Sequence, residues 1–261
     1  MNASNEKSYI LHKRKFRESS QLVDFFSRDY GRVRAVAKGT RGRKRPKGVN
    51  LQAFTPLLLS WRGRGELKNL TAAEPFGNSA CFQGEMLYVG LYLNELLVRL
   101  LPEHVPHESL FDCYELLISQ LSACNDPEPL LRRFELRLLE EIGYGLDMTV
   151  ELSEERSITA DERYHYTSDH GFVRSNTLVV QSKEDLYEGA HLLAIANADY
   201  ELPAVRRSAK RLLRCALQSQ LGDRPLLSRQ LFHQARVCRP SKKDKKQPKA
   251  AGGFFGKAFC G

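Results

Sequence analysis

Two hydrophobic rhythms succeed one another along the chain. From Ser8 to Phe76, short apolar runs are broken by Gly, Pro and charged residues. That pattern predicts strands over residues 9–16, 21–28, 31–38, 54–62 and 66–74. The second and third runs are joined by Asp29-Tyr30-Gly31, a hairpin signal, and Trp61-Arg62-Gly63-Arg64-Gly65 reads as a second tight turn. Side chains alternate along a strand, so Val33, Ala35 and Ala37 fall on one face of the third run. Arg32, Arg34, Val36 and Lys38 fall on the other.

Beyond Phe76 the spacing becomes helical. It predicts helices over residues 85–101, 108–122, 127–142, 183–196, 204–220 and 226–236. The first is apolar around most of its circumference and ends at Pro102, which marks the centre of a bundle. Asp126 is placed to cap the third helix and Pro127 to sit in its first turn. Between residues 145 and 182 the rhythm loosens. There Arg163–Thr167 and Gly171–Arg174 alternate around Ser168-Asp169-His170-Gly171 as a small hairpin. The class is therefore α+β, with an N-terminal five-stranded barrel of the OB type followed by a helical domain with a β-hairpin-like insertion. The expected divisions are 1–77 for the barrel, 78–238 for the helical domain and 239–261 for a basic, disordered tail.

Charge sharpens this division. The 261 residues carry a net charge of +9. Residues 1–75 hold 17 Lys/Arg against 6 Asp/Glu, residues 76–240 hold 17 against 24, and residues 241–261 hold 6 against 1. The barrel and tail are basic while the helical body is acidic, which suggests a module made for a polyanion joined to a body with another task. Between the third and fourth strands, Gly39 to Gly48 contains five cations and no acid. Its Gly and Pro residues exclude a stable helix, so it reads as a mobile loop. The candidate phosphate-binding surface comprises Arg14, Arg32, Arg34, Lys38, Arg41, Arg43, Lys44, Arg45, Arg62, Arg64 and Lys68. Tyr9, Phe16, Tyr30, Phe54 and Trp61 are available to stack on bases, though each also suits a core or rim. In the helix over 204–220, Arg206, Arg207, Lys210, Arg211 and Arg214 share an arc of roughly 140° at the helical repeat. That face suits solvent, phosphate or an acidic peptide.

Catalytic constellations do not emerge. There is no GxxxxGK[ST], HExxH, GxSxG or strand-linked GxGxxG. Glu140-Glu141 and Glu154-Glu155 are adjacent pairs that diverge on a helix. His104-x-x-His107 and His165…His170 lack a second pair of ligands, and the six Cys form no CxxC. A binding protein without enzymatic activity, metal or cofactor is expected. The thiols read as reduced, and no signal peptide or comfortable membrane span is evident, since Asn94, Glu95 and Arg99 interrupt the longest apolar run. A cytoplasmic location follows.

Particular segments carry a family resemblance. Leu131-Arg132-Arg133-Phe134-Glu135-Leu136-Arg137-Leu138-Leu139-Glu140-Glu141-Ile142-Gly143-Tyr144-Gly145 resembles the RecO family of recombination mediators. So do Leu226-Leu227-Ser228-Arg229-Gln230-Leu231-Phe232, Phe16–Val23 and Tyr30–Gly39, and together the similarity spans about residues 7–237. It implies binding of single- and double-stranded DNA, annealing of complementary strands, and partnership with RecR. It also implies help in loading the RecA recombinase onto strands coated by single-stranded-DNA-binding protein (SSB), whose acidic, Phe-ended tail such proteins recognise. The cations assigned to that peptide are Arg132, Arg133, Arg206 and Lys210. Many relatives carry a four-Cys zinc cluster after the Gly-Tyr-Gly turn. Residues 146–182 contain no Cys, which places this chain in a zinc-less branch. The basic residues alone leave open an RNA-binding barrel protein or a metal-dependent nuclease.

Overall fold

The computed structural model describes residues 2–39, 51–151, 156–175 and 186–237. Five strands, β1 (Ala3–Phe16), β2 (Ser20–Ser27), β3 (Gly31–Ala37), β4 (Pro56–Arg62) and β5 (Lys68–Pro75), close into an OB-like barrel. Its strand order is β1-β2-β3-β5-β4, with β1 returning to β4 and the β3–β5 pair parallel. Val23, Phe25, Val33, Ala35, Leu59 and Trp61 fill the interior and are fully excluded from solvent. Burying each large apolar side chain contributes roughly 1.5–3 kcal/mol, so the alternating pattern fixes which face turns inward.

Helices α1 (Gly84–Leu100), α2 (Glu108–Leu121) and α3 (Glu128–Glu141) follow, and after the insertion come α4 (Gly189–Ala196), α5 (Pro203–Leu221) and α6 (Leu227–Val237). The polar residues that interrupt the apolar run of α1 each pin a neighbour. Asn94 Nδ2 donates to the Leu11 carbonyl at 3.0 Å while its Oδ1 accepts from Tyr114 Oη at 2.7 Å, tying the barrel to α1 and α2. Glu95 accepts the Leu227 and Ser228 N–H groups at 2.8 Å each, capping α6. Arg99 donates to the Leu221 carbonyl at 2.6 Å at the end of α5. Asp126 Oδ1 accepts the Glu128 N–H at 3.1 Å, as its position before Pro127 predicts. Among the described residues no helix is long and apolar enough to cross a membrane.

Besides the barrel's own interior, a second apolar core joins the barrel to the bundle. Tyr9, Leu11, Phe26 and Phe54 leave the outer face of the barrel to pack with α1 and α2. The segment after α1 lies along β3, where the His104 N–H donates to the Arg32 carbonyl at 2.9 Å. The approach is so close that a Cβ on Gly31, at φ +66°, would sit 1.8 Å from the Val105 carbonyl oxygen.

The insertion contains β6 (Val150–Glu151), β7 (Arg156–Ser157), β8 (Arg163–Thr167), β9 (Gly171–Arg174) and β10 (Leu186–Glu188). The expected hairpin is β8–β9, and Tyr164, Tyr166, Phe172 and Tyr187 anchor this lobe in the helical core. The helix expected over 183–196 starts at Gly189, because Leu186–Glu188 pair with His165–Arg163 as a third strand. The strand expected from residue 9 begins at Ala3, since pairing with β4 extends it. Among the described residues, Cys81, Cys113 and Cys124 are free thiols. Among the described residues, no three His, Cys, Asp or Glu side chains are grouped to hold a metal.

Candidate nucleic-acid and peptide interfaces

Strand register gathers cations on the outside of the barrel. Arg14 pairs with Leu22, Leu22 with Val36, Val36 with Asn69 and Asn69 with Arg62. Directly opposed residues share a face. This row therefore carries an exposed Arg at each end, with the apolar Leu22 and Val36 and the exposed, polar Asn69 between them. One step along the same face lie Phe16, opposite Ser20, and the exposed Lys38. A groove of about 530 Å³ opens there, lined by Phe16, Arg17, Glu18, Ser19, Ser20, Val36, Lys38, Leu67 and Asn69. Arg64 is exposed in the turn beyond Arg62. None of Arg14, Lys38, Arg62 or Arg64 forms an ion pair with another described residue.

Three of the sequence-predicted cations serve the fold instead. Arg32 is 9% exposed; its Nε donates to the Leu101 carbonyl at 2.9 Å, and its Nη1 faces Asp24 at 3.4 Å and Glu103 at 3.3 Å. Arg34 donates from Nε to Asp24 at 3.0 Å and pairs with Glu103 at 3.1 Å. The charged face of β3 is thus graded, from neutralised cations at the helical joint to an exposed Lys38 at the groove. Lys68 lies opposite Ala35 on the inner face, buried, with its ammonium on the Gly65 carbonyl. Tyr9, Phe54 and Trp61 are core residues, and Tyr30 packs edge-on against Trp61. Arg41, Arg43, Lys44 and Arg45 lie outside the described residues.

The run His12-Lys13-Arg14-Lys15-Phe16-Arg17 adds Arg17, which lines the groove, to the cations picked out from sequence, while Lys13 and Lys15, opposite Val23 and Gln21, fall on the other face of β1. Residues 12–15 are all exposed, and only Lys13 is tied down, to the Leu51 carbonyl at 2.9 Å. The cluster of basic residues at the end of β1 was the available signal.

A second cavity, of about 510 Å³, opens among α1, α3, α5 and α6. Tyr88, Val89, Leu131 and Phe232 give it an apolar side, with Phe232 edge-on to Tyr88 at 5.9 Å between ring centroids. Arg132, Lys210, Arg214 and Arg229 supply cations, while Glu85, Asp126, Glu128 and Glu135 also line it. Arg132 is 7% exposed and pairs with Glu135 at 2.7 Å, yet its Nε is buried with no hydrogen-bond partner. A buried donor left unmatched favours an incoming acceptor. Beneath it Tyr92 Oη donates to Glu135 at 2.5 Å, and burial, reinforced by Glu135, pushes the Tyr92 phenol above its usual range. Burial likewise raises the Glu135 carboxyl, opposed by Arg132, the Tyr92 hydroxyl and Arg229.

Of the peptide cations read from sequence, Arg132 and Lys210 meet at this cavity. Arg133 is exposed but points elsewhere, being about 100° further round α3. Arg206 is half-buried and holds Asp126 and the Tyr200 carbonyl, fastening the start of α5 to that of α3. Arg214, one helical turn after Lys210 on the cationic face read from sequence though not assigned to the peptide, joins them, and so does Arg229, within the Leu226–Phe232 motif, which sequence reasoning missed.

Comparison with known proteins matches these two halves. Family models described as recombination protein O N terminal and recombination protein O C terminal cover residues 1–78 and 81–230. The DNA repair protein RecO of Pseudomonas putida (strain W619) is 45% identical over 225 residues, covering 86% of this chain and 95% of that protein. Its namesake from Pseudomonas aeruginosa (strain LESB58) is 43% identical over 230 residues, with 88% and 95% covered. That of Photobacterium profundum is 40% identical over 227 residues, with 87% and 94% covered. With an OB-like barrel, a following helical bundle and such similarity over both, the chain belongs to the RecO family of DNA repair proteins, a family of mediators rather than enzymes.

Proposed function

We propose that the chain is a recombination mediator that binds single- and double-stranded DNA on the barrel, anneals complementary strands and recognises SSB through the helical cavity. The observation that carries the reading is the outer-face row of exposed, unpaired cations beside an open groove. Phosphate contacts from Arg14, Lys38, Arg62 and Arg64 neutralise a strand without reading its sequence, and the basic run that holds Arg41, Arg43, Lys44 and Arg45 in the sequence supplies further cations for the same role. Two strands held in this exchangeable way lose their mutual repulsion and find their complement.

The helical cavity supports the peptide role. An acidic tail ending in Phe needs an apolar pocket with cations at its edge. Arg132, Lys210, Arg214 and Arg229 border the apolar side formed by Leu131 and Phe232. In this reading the protein acts in the cytoplasm at the nucleoid, with RecR, to help load RecA. The barrel (1–77) serves DNA, the helical body (78–238) serves protein partners, and the tail (239–261) lies beyond both.

Annealing of complementary strands, naked and SSB-coated, tests the division of labour. Lys210→Glu/Arg214→Glu should anneal naked strands normally and fail on coated ones. Arg14→Glu/Lys38→Glu/Arg62→Glu should fail on both. Normal annealing of coated strands by the first variant would remove the peptide site. Competition with an RNA oligonucleotide tests the preference for DNA.

A further inference from the structure

We propose that Phe16 and the groove beside it form a subsite for one unstacked base of single-stranded nucleic acid, which gives the barrel its means of telling single strands from duplex. This inference rests on the reading of the barrel groove as a DNA surface.

Most of the barrel's candidate stacking rings are already engaged. Three of the five are sealed in the core: Tyr9, Phe54 and Trp61. Tyr30 is half-buried and engages Trp61 edge-on, with centroids 5.3 Å apart, in the turn between β2 and β3. Phe16 alone among them lines the groove, half-buried at the end of β1.

Its surroundings suit a base. Phe16 shares the outer face with Arg14, two residues earlier on β1, and that face continues across the sheet to Arg62. Phosphates neutralised along this row would leave their bases beside the groove. The side chains of Val36 and Leu67 add apolar wall, and Leu67 is a large apolar residue left 40% exposed. Ser19, Ser20 and Asn69 offer hydrogen-bonding groups for base edges without imposing one sequence. Arg17 holds its guanidinium 5.3 Å from the Phe16 centroid, so ring and cation form a joint platform on which a planar base can stack. Glu18, also in the groove, disfavours a phosphate there and leaves the place to an uncharged group.

Duplex DNA keeps its bases stacked inside, so it meets the cations and not the ring. A single strand meets both. The selectivity of the groove therefore comes from Phe16, while its affinity for phosphate comes from the surrounding Arg and Lys.

The test compares Phe16→Ala with Phe16→Tyr on a single-stranded oligonucleotide and on a duplex of equal length. Phe16→Ala should lose about five- to 150-fold in affinity for the single strand, the range of one base–aromatic stack. Its duplex affinity should change less than about twofold and its salt slope should stay put, because no phosphate contact is lost. Phe16→Tyr should retain single-strand binding. Phe16→Trp adds a direct readout that needs no truncation: its emission should be quenched by the single strand and not by duplex, against the native Trp61, which is fully buried. Equal losses on both substrates for Phe16→Ala, or unquenched emission with the single strand bound, would overturn the subsite. If Arg14→Glu/Lys38→Glu/Arg62→Glu weakens binding while Phe16→Ala does not, only the base subsite falls. If the triple variant also binds normally, the DNA reading of the groove falls with it.

Discussion

Asp24→Asn isolates the work done by the charged cluster between barrel and helices. Asp24 is 5% exposed and its carboxylate faces both Arg32 and Arg34. Asn preserves shape and one acceptor, so the change removes charge without opening a cavity. Two guanidiniums are then left with Glu103 as their remaining anion in the cluster. Breaking a fully buried pair costs about 3–5 kcal/mol. Here the Arg34 side chain is 38% exposed and that of Glu103 24%, so solvent screens part of the imbalance. The expected loss is about 2–3 kcal/mol, or roughly 4–12 °C in melting temperature for a chain of this size. Urea unfolding and calorimetry measure it. Adding Arg34→Gln should recover about 1 kcal/mol by removing the surplus cation. Neither substitution should alter the salt slope of DNA binding, because these arginines are occupied by the joint. A loss below about 0.5 kcal/mol, the size of an ordinary surface change, would refute the reasoning. So would a flatter salt slope for Arg34→Gln alone.

Other substitutions probe separate links. Gly31→Ala should destabilise by about 2–4 kcal/mol, combining left-handed backbone strain with a clash against the Val105 carbonyl; thermal unfolding measures it, and a neutral result contradicts the close approach. Arg28→Ala should lower stability near neutral pH, and the difference from the parent should shrink in acid. The hydrogen bond from Arg28 holds the Asp112 carboxyl below its usual range, so its contribution is present above the unfolded carboxylate pKa and lost as pH falls through the folded one. Urea midpoints across that range would show parallel curves if the pairing were irrelevant. Lys210→Glu/Arg214→Glu should weaken binding of an acidic, Phe-ended peptide at least tenfold, read by fluorescence anisotropy, with naked-DNA affinity unchanged. Unchanged peptide affinity would move the site elsewhere.

Much of this was visible in the residue pattern because burial imposes it. The two-residue period that sets Val33, Ala35 and Ala37 of β3 and Leu57, Leu59 and Trp61 of β4 on one side follows from a barrel with one inward face, and the cationic face of α5 lies opposite its buried Val205, Ala209, Leu212, Leu213 and Ala216. What the pattern could not show is partnership. Arg32 and Lys38 fall on one face of the third run, yet Glu103, far along the chain, turns Arg32 into a joint residue and leaves Lys38 at the groove. Likewise β10 is three residues long and abuts α4, so helical spacing absorbs it until its pairing with β8 is seen. Arg132 was legible from its apolar helix neighbours. Arg229 required knowing that Glu95 caps α6 and sets that helix beside α1.

The most direct test of the DNA surface is the affinity for a single-stranded oligonucleotide at several salt concentrations, for the parent and for Arg14→Glu/Lys38→Glu/Arg62→Glu. Three lost phosphate contacts should weaken binding and reduce the magnitude of the log–log salt slope by about 2, at about 0.7 per contact. A folded triple variant with the parent's affinity and slope would contradict the assignment of DNA to this face of the barrel.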